Sequence, residues 1–161
     1  MTAVPAILFY DVVVALHVMA VVIAFGVTFV YPAVIPWLVR THPEAMPAVH
    51  EMQVRVGRLV IVPFATLALL TGFYLAADAD VFSETWVTVP MVILIVLLGL
   101  GGAFFTPREK ELGALARRDL DAGGGLSEEY GARARTVGIV GALSSALILI
   151  AIFFMVAKPF A

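Results

Sequence analysis

Cysteine is absent from the chain, which excludes disulfides, thiolate metal sites and a cysteine nucleophile. Charge is sparse as well. Asp, Glu, Lys and Arg together make up 14% of the residues, too few to coat a water-soluble core of this length. No basic patch with interleaved aromatics occurs, so nothing points to a nucleic-acid partner. Apart from Asp11, near the start of the first apolar run, acidic residues are missing from the run interiors. Proton-driven transporters place a chain of carboxylates there, and that chain is missing too. The first residues, Met1-Thr2-Ala3-Val4-Pro5-Ala6, show neither a basic stretch nor a small-residue cleavage site. The first apolar run therefore reads as a retained helix rather than a signal peptide.

What the chain does have is four long apolar runs, at approximately Ala6–Val39, Leu59–Ala77, Trp86–Phe105 and Thr136–Ala157. Each approaches or exceeds the ~20 residues a helix needs to cross ~30 Å of hydrocarbon. The expected fold is all-α: a four-helix transmembrane bundle with short cytoplasmic helical extensions, one integral membrane domain over residues 1–161. Arg40, Arg55, Arg58, Arg108, Lys110, Arg117, Arg118, Arg133 and Arg135 fall in the first and third connections, leaving only Lys158 for the other face. This sorting predicts both termini outside, in a bacterial-type plasma (inner) membrane. Tyr10, Tyr74 and Trp86 at the outer ends of their spans agree with it. The lipid bilayer is thus the first partner, and a homo-oligomer or a larger membrane complex stays open.

Local signals divide the runs further. The first helix is expected to start near Val4 or Pro5 and, at Pro32 and Pro36, either to kink or to run beyond the bilayer, with a further bend at Pro63. Thr41-His42-Pro43-Glu44 and Thr106-Pro107-Arg108-Glu109 both read as helix caps, and Ser127-Glu128-Glu129 as the cap of the last helix. Gly138, Gly141, Ala142, Ser145 and Ala146 on the fourth span predict close helix contacts. Gly26 and the Gly99, Gly101, Gly102 group predict the same on the first and third spans.

His17 is the sharpest chemical feature, because an ionisable group inside a span needs a partner or a cavity. One reading makes it an axial ligand to haem iron. The other makes it a neutral imidazole bonded to a neighbouring helix, and spacing alone favours that second reading. A six-coordinate haem would draw its other ligand from Met91, Met155 or a second subunit, since Met19 is on the wrong face. Asp11 reads as solvated or backbone-bonded. His42, Met46 and His50 recur at helical spacing, and imidazole with thioether suits copper, although Pro43 and Pro47 interrupt the helix that would align them. Polar surface at a helix start is the competing reading. Arg55 and Arg58, near the inner mouth of the second span, suit either haem propionates or the snorkelling that fixes topology.

The stretch Ala15-Leu16-His17-Val18-Met19-Ala20-Val21-Val22, with Phe25-Gly26 and Tyr31-Pro32, resembles the first helix of HemJ-type protoporphyrinogen IX oxidases. Met52, Arg55 and Arg58, and the closing Val156-Ala157-Lys158-Pro159-Phe160, extend the likeness over most of the chain. It reaches to CopD-like copper-resistance proteins and to small uncharacterised membrane proteins. The resemblance implies a bundle carrying b-type haem on His17. The chain departs from the HemJ pattern in the third span, which has no lysine, and at Arg133-Ala134-Arg135-Thr136-Val137, where an Asn-Glu-x-Pro-Thr pattern is expected. Ala24-Phe25 also replaces a tryptophan before the first-helix glycine. Three functions follow in order: a haem-linked redox protein, a non-catalytic scaffold or subunit, and a copper-handling protein.

Overall fold

Proline and glycine punctuation divides the apolar runs into the segments observed. The computed structural model describes residues 9–159, so the expected helix start near Val4 or Pro5 lies outside the described residues. Among the described residues seven α-helices follow one another: α1 Phe9–Gly26, α2 Tyr31–Thr41, α3 Met46–Val56, α4 Val62–Asp78, α5 Thr85–Leu100, α6 Thr106–Asp121 and α7 Glu128–Ala157. Joined through tight helical turns, they make four rods long and apolar enough to cross a membrane: Phe9–Thr41, Pro43–Asp78, Thr85–Asp121 and Glu128–Ala157. No strand occurs among the described residues. The all-α, four-span architecture is thereby established.

The joints share a pattern, a glycine followed six positions later by proline: Gly26 with Pro32, Gly57 with Pro63, Gly101 with Pro107. Proline has no N–H and its ring collides with the carbonyl four residues back; at these three joints the helical ladder changes step, whereas Pro36 and Pro90 sit inside α2 and α5 without such a change. At Gly57–Ile61 and Gly101–Phe105 it does so by a π turn, in which Val62 N–H reaches Gly57 O and Thr106 N–H reaches Gly101 O. At Val27–Phe29 the step is a 3-10 turn instead. A π turn, Gly57–Ile61, closes just before Val62 and Pro63, where the sequence places a bend. Two expected caps are also corrected. Thr41 closes α2 and bonds back to Trp37 O, and Thr106 sits in a continuing rod with its hydroxyl on Gly101 O. In both cases the helix supplies a carbonyl within reach, and the hydroxyl takes it in preference to capping.

Inside the apolar part, α1 packs on α4 and α5 on α7, with α4 beside α5. The first contact is built from alanine: Ala20, Ala24, Ala65, Ala68 and Ala76 are all buried. Small side chains let backbones approach closely where lipid removes the hydrophobic drive between helices. The small-residue row of α7 is a different matter. Gly138, Ala142 and Ala146 are exposed, and a Cβ at Gly138 or Gly141 would meet nothing within 4 Å. The same openness holds at Gly26, Gly99, Gly101 and Gly102, so these glycines are not the contacts expected of them. The row faces outward because α7 turns Ser144 and Ile148 to the interior.

The arginine-bearing end is built from larger side chains. Here α3 packs on α6, α6 on α7 and α2 on α7, around Met46, Leu112, Leu115, Ala116 and Tyr130. Ser127 caps α7 as expected, its hydroxyl accepting from Tyr130 N. Asp119 accepts from Ser127 N at 2.9 Å and from Arg118, which ties the α6–α7 connection to α6. Those bonds, Ser127 first and Arg118 second, hold the Asp119 carboxyl down to about 2. Its contribution to stability is present above the ordinary carboxyl value of 3.8 and is lost as pH falls through about 2. Asp119→Asn is therefore expected to lower the melting temperature in detergent at pH 7, with the gap from wild type closing as pH falls from about 4 to 2.

Candidate functional site

His17 projects from α1 toward α4, where its Nδ1 lies 3.1 Å from Thr71 Oγ1. Thr71 has a single hydroxyl proton, and its oxygen sits 2.7 Å from Leu67 O and 3.1 Å from Ala68 O. The proton goes to those carbonyls, so Thr71 Oγ1 accepts from His17 Nδ1–H. A neutral imidazole protonated at Nδ1 carries its lone pair on Nε2. Beside the ring lies Gly72, where a Cβ would come to 3.1 Å from His17 Cε1. Glycine is what allows the imidazole to lie against α4.

His17 lines a half-open cavity of about 300 Å³ between the α1–α4 pair and the α5–α7 pair. Its wall includes Val21 and Phe25 of α1, Val87, Met91 and Leu94 of α5, and Ile148 and Met155 of α7. The wall is almost wholly apolar. Among the described residues, the imidazole and the two thioethers are its only side chains with a lone pair for a metal. Met19 is half exposed on the opposite side of α1, as its spacing predicts.

The structure does not bring the other predicted residues to this cavity. Arg55 is exposed and paired with Glu51 at 2.8 Å, and Arg58 is exposed at the π turn. Along the continuous rod, Arg58 lies roughly 20 Å of helix axis from Thr71 at 1.5 Å per residue, and Arg55 lies farther. His42, Met46 and His50 do not share one helical face. The chain leaves helical geometry at His42 (φ −141°, ψ 58°), whose exposed ring bonds Glu44 and stacks edge-on to Trp37. Met46 is sealed in the core beside Leu112 and Tyr130.

His50 belongs to a second constellation, which the sequence did not reveal. Its Nδ1 is 2.6 Å from Glu109 Oε2 and its Nε2 is 2.8 Å from Tyr130 Oη. All three side chains are buried, and they come from three different rods. Gly113 makes the approach of α6 to α3 feasible, since a Cβ there would lie 3.3 Å from His50 Cβ. Glu109 had read as a capping residue and Tyr130 carried no signal. A hint lay in Met46, His50 and Gln53, which share one face of α3, and Gln53 also reaches Glu109. The geometry of the cluster is that of a clasp on three rods.

The chain belongs to the family of predicted integral membrane proteins designated DUF2269, whose family model matches residues 11–159. No curated protein and no solved structure matches it. With four candidate spans, the protein is an integral membrane protein.

Two substitutions separate the constellations. His50→Leu leaves the Glu109 carboxylate buried without its partner and is expected to cost about 3–5 kcal/mol in reversible unfolding. Gly72→Ala is expected to move the imidazole off Thr71 with a smaller loss, read as a changed His17 ring-nitrogen NMR signal that stays unchanged in His50→Leu.

Proposed function

We propose that this DUF2269 protein binds haem b inside the bilayer and is redox-linked, with His17 as an axial ligand. One observation carries the reading. Thr71 fixes the imidazole in the tautomer whose Nε2 lone pair is available, on a side chain that lines a cavity. Metal-ligating histidines are held in this manner, one nitrogen on an outer partner and the other on the metal. The fit of the surroundings supports it. The cavity walls are apolar, as the faces of a porphyrin require, and one side of the cavity is open. Bound haem supplies one-electron chemistry. The chain's own part is to orient the imidazole through Thr71, to give the ring room through Gly72, and to keep water out with aliphatic walls.

In the bilayer the arginine-bearing end faces the cytoplasm and both termini lie outside, on the sorting of basic residues. The likeness of residues 15–32 to HemJ-type proteins supports haem on His17. The lysine missing from the third span leaves protoporphyrinogen oxidation outside the proposal. Arg55 and Arg58 fit orientation better than propionate binding, given their distance along the rod. Copper handling ranks last, because His50 already uses both ring nitrogens. A scaffold or subunit role ranks second, favoured by the open row Gly138, Ala142 and Ala146, which suits a neighbouring transmembrane helix.

Protein purified from haem-replete cells is expected to show a Soret band and a reduced-minus-oxidised difference spectrum, both lost in His17→Ala. A wild-type protein with no Soret band would overturn the haem reading and leave the subunit role in its place.

A further inference from the structure

Resting on the haem reading, we propose that Met91 is the second axial ligand, facing His17 across the cavity. The cavity has two walls. Residues of α1 and α4, which pack on each other, form one, and residues of α5 and α7, likewise packed together, form the other. His17 stands on the first wall, so a flat group bound to it presents its other face to the second. Only Met91 and Met155 offer an iron ligand there.

Helical register chooses between them. The α4 and α5 helices are antiparallel neighbours joined by the short connection after Asp78. Counting 1.5 Å per residue from that connection, Thr71 on α4 and Met91 on α5 both lie about 10 Å deep. His17 is bonded to Thr71 and shares that depth. Met155 is higher. The end of α7 is level with the start of α5, because Lys158 Nζ lies 4.5 Å from the centre of the Trp86 ring. On that register Met155 is level with about Val89, roughly 3 Å outward of Met91. Met91 is on the opposite wall and is the thioether nearer the depth of His17. A neutral thioether also brings no further charge into hydrocarbon, and imidazole with thioether raises the reduction potential relative to two imidazoles.

The test uses full-length protein in detergent, purified from haem-replete cells. Wild type is expected to be six-coordinate and low-spin with a methionine-to-iron charge-transfer band. Met91→Leu, which conserves volume, should retain haem, lose that band, turn high-spin and fall in reduction potential. Met91→His should return to low-spin without the band, and it carries the test should the leucine variant not accumulate. Met155→Leu should match wild type. Haem that stays low-spin with the band intact in Met91→Leu or Met91→His overturns Met91 and leaves His17 standing. So does a high-spin wild type. Wild type without haem overturns both readings.

Discussion

Hydrocarbon neither donates nor accepts hydrogen bonds, so each polar group carried into the spans must find its partner within the protein. Three hydroxyls meet this demand locally, whereas Tyr31 Oη is buried without a hydrogen-bond partner. Thr28 donates to Phe25 O at 2.7 Å, Thr71 to Leu67 O at 2.7 Å and Ser144 to Val140 O at 2.9 Å. Satisfying the proton in this way leaves the oxygen lone pairs unspent. At Thr71 a lone pair meets the N–H of His17, and the tautomer of the imidazole follows from it. A backbone carbonyl of α4 thus decides, two bonds removed, which ring nitrogen of α1 stays basic.

The two ends of the bundle solve packing by different physics. Along the spans, lipid is as apolar as any side chain, and the helices are held by the close approach that alanine on α1 and α4 permits. At the arginine-bearing end, Met46, Leu112 and Leu115 form a core of the kind a soluble domain has. The His50, Glu109 and Tyr130 chain is buried within it, each member satisfied by another. That end binds three rods together, while the other end is left with room for a cavity.

Run length and charge sorting made the four spans legible, because crossing a fixed thickness sets a number that composition alone can meet. His17 was legible for the related reason that a histidine within such a run is costly. Its partners were not. Thr71 and Gly72 lie far along the chain, and neither residue type is unusual in a span. Glu109 was misread because its sequence neighbours imitate a cap, and only the packing of α6 on α3 shows where its carboxylate goes. The glycines of α7 misled for a similar reason: spacing shows that a row of small residues exists, without showing whether the row looks inward or toward lipid.

The two π turns bear on how the length of this chain can vary. Each accommodates one residue more than an α-helix would use over the same rise, and the helices on either side keep their phase. Removing a single residue from Gly57–Ile61 or Gly101–Phe105 would restore ordinary winding without rotating either flank away from its neighbours. A deletion elsewhere in the rods would swing one half by about 100° against the other. These joints are the positions where this architecture can shorten and still align its cavity wall with its clasp.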